Sequence, residues 1–213
     1  MKISFLLPFF LCTYYFARPQ SSVNISSGIS RDVNNTSKSF YHIPVSFQWK
    51  PSSNPHGIFF FELDEDIPFV ARGAGNAYTL NPALPQEMIL QEMIRAYIFT
   101  ASIGFRIHLY SDKKLNNIYI NLLPFGISTQ HFKIEYKNYD NKNYEILDPD
   151  VNLKRTSVVM SMSAVYNFHN HLMLMFHVQT PLFATTGSYP LSYKFVAPLQ
   201  LTFGYNFYYN KRK

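Results

Sequence analysis

The sequence predicts an all-β fold, an antiparallel up-and-down transmembrane β-barrel of eight strands. Three observations carry that expectation. In Tyr97 to Tyr110, YIFTASIGFRIHLY, one face holds Tyr97, Phe99, Ala101, Ile103, Phe105, Ile107 and Leu109, and the other holds Thr100, Ser102, Gly104, Arg106 and His108. The stretch is long enough for a tilted bilayer-crossing strand, which needs roughly 9–11 residues. Charged residues are only 15% of the chain, against about 25% in ordinary soluble domains. Finally, from Trp49 onward the connections between alternating segments run short, long, short, long, as in barrels with tight turns at one end and loops at the other.

Length and composition bound the alternatives. At 213 residues the chain has room for one barrel or one mid-sized domain. Apolar residues make up 47% of it, but beyond the N-terminus no unbroken apolar run reaches the ~18 residues of a membrane helix. Aromatics are heavy, with 16 Tyr and 20 Phe against one Trp. A secreted β-sandwich would alternate too, so it stands as the soluble alternative. The formal charge is +6. Lys and Arg are spread over turns and tails with no nucleic-acid motif, so the charge reads first as a solvated surface, and an anionic lipopolysaccharide is a more sensible partner for it than nucleic acid.

In chain order, residues 1–17 read as a signal peptide, with Lys2 before an apolar stretch that runs to Ala17. The only cysteine, Cys12, lies within it, leaving a thiol-free mature chain suited to an oxidising compartment. Residues 18–38 form a polar Ser- and Asn-rich leader, with a weak first strand around Val23–Ile29. Tyr41 to Trp49 is the next strand, followed by a turn at 50–57 rich in Pro, Ser and Asn. Ile58 to Phe69 returns, with Phe60 and Glu62 on one face and Phe59, Phe61 and Leu63 on the other.

Alternation fades over 70–92, where a long loop with a short helical piece from Pro85 to Met93 is expected. After the strand at 97–110 and a turn at 111–117, Ile118 to Tyr136 returns with a bend at Pro124 and Gly126. A loop at 138–155, strands at 158–168 and 172–182 joined at His169-Asn170, and a loop at 184–194 follow. The last strand alternates Leu199, Leu201, Phe203, Tyr205 and Phe207 with polar residues, and residues 211–213 are a basic tail. The barrel domain thus spans 39–210, and the weak segment at 23–29 supplies the eighth strand that an even count requires.

The paired long strands, YIFTASIGFRIHLY above all, and the terminal aromatic strand LQLTFGYNFYYN resemble the small outer-membrane β-barrel proteins of the Bacteroidota type. That resemblance implies residence in the cell outer membrane, insertion by the barrel-assembly machinery, and contact with outer-membrane lipid. It implies no activity, because fold does not fix function.

The residues themselves favour a non-enzymatic role. An eight-stranded barrel has an interior just filled by side chains, and Arg106, His108, His177, Gln179 and Glu62 are its polar lumen candidates. A lipid-modifying barrel enzyme is the sharpest alternative. None of the seven His is followed two residues later by Ser, although a pair assembled in space, such as His108 with Ser102 or Ser161, is left open. His169 and His171 are too few for a structural zinc site. The triplet Asp64-Glu65-Asp66 lacks calcium-loop spacing and reads as a charged strand end at the membrane boundary. No cofactor is expected. The loop at 138–155, with Tyr136, Tyr139, Tyr144 and Lys142, is the candidate surface for recognising an unknown protein or ligand.

Overall fold

The computed structural model describes residues 22–32, 41–50, 59–114, 116–137, 140, 142–146, 152–169, 171–184 and 196–208. The signal segment, the turn at 51–57, Tyr139 and the basic tail lie outside the described residues. Among the described residues there are ten strands and no helix: β1 Ser22–Asp32, β2 Tyr41–Lys50, β3 Phe59–Pro68, β4 Ala71–Thr79, β5 Glu87–Ser111, β6 Asn117–Lys137, β7 Tyr144–Glu145, β8 Asn152–Phe168, β9 Leu172–Ala184 and β10 Pro198–Tyr208.

Eight of these close into a ring, β1-β2-β3-β5-β6-β8-β9-β10, every pair antiparallel. The seam joins the first and last strands, from Ser22 opposite Tyr208 to Asp32 opposite Pro198. Gly28 is required there: a Cβ on it would stand 1.9 Å from the carbonyl oxygen of Leu201. Only a residue without a side chain lets the two backbones approach so closely.

The ring is inside-out. Phe59 and Phe203 are each 66% exposed on its outer wall, together with Phe61, Phe99, Ile103, Met162, Phe176 and Phe207. The buried side is polar: Asn24, Ser46, Gln48, Glu62, Thr100, Ser128, Gln179 and Thr202 all point in. Period two and closure produce this directly, since every second side chain of every ring strand must enter the lumen.

At one end, hereafter the turn end, lie the start of β1, the end of β10 and the tight turns. His169 there adopts φ 46°, a left-handed region that His, Asn and Asp tolerate better than most residues. Its amide donates to Asn116 Oδ1 at 3.1 Å, tying two neighbouring turns together. In β6, Pro124 and Phe125 both face outward and the pairing slips between Leu123 and Gly126. This bulge absorbs a proline that has no N–H for the ladder.

The region 70–92 departs from expectation. It holds no helix, and its irregular stretch is only 80–86: β4 and the first half of β5 form a hairpin that stands beyond the ring at the loop end. β3 pairs with Ile98–Phe105 of β5 and β4 pairs with Glu87–Ile94, so β3 and β4 follow one another along the same edge of β5. The chain breaks step at Pro68 to Val70, where Phe69 N–H donates to Tyr41 O at 2.8 Å. Glu, Met, Leu and Gln give 87–93 high helix propensity, but pairing with β4 on one side and, from Gln91, with β6 on the other overrides it.

Candidate functional site: a filled polar lumen beneath an apolar cap

On β3 the inward positions are Phe60, Glu62, Asp64 and Asp66, the three carboxylates each between 2% and 4% exposed. The acidic triplet is therefore not a charged strand end. Alternation splits it, sending Asp64 and Asp66 into the lumen and leaving Glu65 outside.

The lumen candidates fall into place as follows. Arg106 Nε donates to Asn121 Oδ1 at 2.8 Å and Nη2 donates to Gln48 Oε1 at 3.3 Å. Its guanidinium stacks 3.6 Å from the ring centre of Tyr119, a desolvated cation–π contact. Gln48 Nε2 in turn donates to Glu62 Oε2 at 2.5 Å, and His177 Nδ1 lies 3.6 Å from Glu62 Oε1. One line thus runs Asn121, Arg106, Gln48, Glu62, His177. Gln179 lies apart, 3.4 Å from Thr100 Oγ1 through its Oε1. His108 lies near the turn end, 3.1 Å from Asn117 Oδ1, three inward positions along β5 from Ser102.

Several participants escape a reading of single strands. Gln200, from β10, donates to Asp64 Oδ2 at 2.7 Å and also reaches Asp66, which accepts from Ser30 Oγ of β1 at 3.2 Å. His42 Nε2 lies 2.9 Å from the carbonyl of Ala96. Their parity in the alternation marks them as inward, but their partners come from strands distant in sequence.

Apolar clusters flank this network on both sides. At the loop end, Ile94, Ala96, Ile98, Phe132, Ile134, Leu153 and Val196 pack into an apolar cluster. Toward the turn end, Tyr119, Val165, Met173 and Met175 make a second cluster. Beside it, Asn24 Nδ2 donates to Asn206 Oδ1 at 2.8 Å, and Asn206 Nδ2 donates to Asn167 Oδ1 at 2.6 Å. Part of this buried polar set is paired, while the ring nitrogens of His177, Gln179 Nε2 and Thr202 Oγ1 have no hydrogen-bond partner among the described residues.

Above the cap, the hairpin and β7 have their own small core of Ala77, Leu90, Tyr144 and Ile146. Two loop candidates belong to it: Tyr144 is buried there, and Tyr136 packs against both apolar clusters. Lys142 stays exposed. Asp140 holds that turn, its Oδ1 accepting from Lys142 N–H at 3.1 Å and its Oδ2 from Asn143 Nδ2 at 2.8 Å. Those bonds, the Asn143 side chain first, hold its carboxyl below the usual aspartate value. The tip carries an open groove lined by Tyr78, Leu80, Pro82, Leu84 and Glu87, with Ile89 77% exposed near it.

Among the described residues no group of three or more His, Cys, Asp or Glu is arranged to hold a metal ion. No protein-family model and no curated protein matches the chain. Solved structures that it resembles include Ail, the attachment invasion locus protein of Yersinia pestis, in complex with the heparin analogue sucrose octasulfate. That likeness has 13% identity and a TM-score of 0.48, covering 88% of this chain and 99% of the other. Another structure of the same Yersinia pestis protein gives 14% identity and a TM-score of 0.43, over 90% of this chain and 100% of the other.

Proposed function

We propose that this chain is a non-enzymatic protein of the outer membrane, exported by its N-terminal segment and inserted as a closed barrel with a structural or surface-binding role. One observation carries the reading: an eight-stranded ring with its polar residues inside and its Phe, Ile and Leu outside. Such a surface costs free energy in water and gains it in lipid. Aromatic residues gather where the two membrane interfaces would lie. Trp49 stacks on Phe61 at 5.5 Å and His171 on Tyr205 at 5.5 Å toward the turn end, while Tyr41 and Tyr97 stand toward the loop end.

A filled lumen argues for scaffold or recognition over transport, and the protruding hairpin is the part that would reach the medium. The pattern of long paired strands keeps the small outer-membrane barrels of Bacteroidota as the family we favour. Lipopolysaccharide and the barrel-assembly machinery follow as partners of any such barrel.

The test combines membrane fractionation with gel mobility before and after boiling. Sedimentation with outer membrane and a heat-dependent shift support the reading. A soluble protein that runs identically with and without heat overturns it in favour of a secreted sandwich. In planar bilayers, the folded protein is expected to give no steady ion conductance.

A further inference from the structure

Lys and Arg look scattered along the sequence, but the sheet gathers several of them. On β5 the lipid-facing parity runs Ile103, Ala101, Phe99, Tyr97 and then Arg95. Tyr97 pairs with His131, which pairs with Lys154 of β8; Arg95 pairs with Lys133. Arg72 of β4 and Lys137 of β6 lie on the same outer face one or two positions further from the ring. The carboxylates nearest these cations on this face are Glu135, within 3.6 Å of Arg95 and 2.6 Å of Lys133, and Glu65, which pairs with Phe99 in the belt; Glu87 lies further out along β5. Arg72 and Lys154 have no carboxylate partner among the described residues.

Like charges directly opposite on neighbouring strands repel, so the Arg95–Lys133 pairing is unfavourable unless an anion lies across it. Glu135 answers that charge only in part. The patch also begins where the apolar belt stops, on the same face. A lipid whose chains lie along Phe99 and Ile103 therefore carries its headgroup up to Arg95, Lys133 and Lys154.

We infer that Arg95, Lys133 and Lys154, supported by Arg72 and Lys137, form a docking site for the phosphate-bearing headgroup of a lipid in the leaflet at the loop end. The inference rests on the membrane reading above. Each cation near an anionic lipid surface contributes about a fivefold gain in affinity, so three together give roughly a hundredfold.

The test uses the full chain, folded in detergent and then in nanodiscs, with bisphosphorylated lipid A, its monophosphoryl form and phosphatidylcholine as probes, read by native mass spectrometry. The wild type is expected to retain bisphosphorylated lipid A over phosphatidylcholine. The R95Q/K133Q/K154Q variant should lose that preference by roughly a hundredfold while keeping its heat-dependent shift, and K113Q/K114Q at the turn end should bind like the wild type. Equal retention by the triple variant overturns the site, as does a wild type without preference among the three lipids. Displacement by millimolar inorganic phosphate overturns the commitment to a lipid. If the wild type neither shifts on heating nor enters nanodiscs, the membrane reading itself has failed, an outcome distinct from insertion without lipid preference.

Discussion

The two halves of β5 obey the same alternation with opposite chemistry. From Ile98 to Ser111 the inward positions include Thr100, Ser102 and Arg106, while Phe99, Ile103 and Ile107 face outward. From Glu87 to Ala96 the inward positions include Leu90, Ile94 and Ala96, and Gln91 and Arg95 face outward. The inversion occurs within a few residues, near Tyr97. Nothing in backbone geometry changes there; the surroundings do. Below it the outer face meets a medium that favours apolar side chains and the inner face meets only other ring strands. Above it the outer face meets water, and the hairpin buries its own apolar side as any soluble sheet would. A strand that changes sides in this way marks where the apolar medium ends, without reference to any neighbour in sequence.

The largest expected effect comes from breaking the closure on which the lower half depends. G28V places side-chain atoms where Leu201 O and Thr202 Cα already stand, 1.9 and 2.7 Å from the first carbon. The seam between β1 and β10 cannot form around it, and the heat-modifiable band should vanish. Replacing 81–85 at the hairpin tip should leave that band intact. A G28V protein that still shifts on heating would mean that the ring does not close where the structure joins it.

Next comes the boundary itself. Ile103 and Met93 share one face of one strand, ten positions apart. I103K puts an ammonium in the middle of the belt and should cost ~2–4 kcal/mol in reversible denaturant unfolding from lipid. M93K, beyond the inversion, should stay within about 0.5 kcal/mol. Equal costs would show that the medium does not change between them.

This boundary explains what could be read in advance and what could not. YIFTASIGFRIHLY was legible because apolar-out and polar-in alternate over a whole strand, and the terminal strand from Leu199 to Phe207 was legible for the same reason. EMILQEM was not. Its inward residues are Leu90 and Glu92 and its outward ones Ile89 and Gln91, a mixture that carries no clean period because the inversion lies nearby and the cover comes from β4 and β7. In the lumen, the direction of Arg106, Glu62 and His177 followed from parity alone. That Gln48 would bridge Arg106 to Glu62, or that Gln200 would reach Asp64 from the far end of the chain, depends on closure and register, which no local pattern contains. Tyr144 shows the same limit, since a loop tyrosine becomes a core residue once β7 pairs with Thr79 and Tyr78.

The hairpin should also be separable from the ring. L90A removes the large side chain from the cluster with Ala77, Tyr144 and Ile146, a truncation worth about 2–3 kcal/mol in a packed site. The loss should fall on the hairpin alone. Amide hydrogen exchange at Ala77 and Tyr144 should accelerate while the ring-strand amides of Thr100 and Ser128 keep their protection. Uniform acceleration through both regions would mean that the two halves of β5 unfold as one unit.

The smallest effect lies at the other end of β5, where Asp112 holds the turn much as Asp140 does above. Its Oδ1 accepts from the amides of Lys114 at 2.8 Å and Asn116 at 2.9 Å, and Oδ2 accepts from Asn116 Nδ2 at 2.8 Å. The bonds from Asn116 foremost hold the carboxyl below its ordinary value. A depressed aspartate pKa adds stability that is fully present above the unfolded value of about 3.9 and disappears as pH falls through the lower folded value. Acidification from pH 5 toward pH 2 should therefore loosen this turn, read as falling protection of the Asn116 amide against the pH-corrected intrinsic exchange rate. D112N cannot ionise, so its protection should be lower at pH 5 and flat across the same range. A wild-type turn as flat as the variant would mean that the carboxylate does not hold it, and that the pairing of Ser111 with Asn117 closes the lower end of β5 unaided.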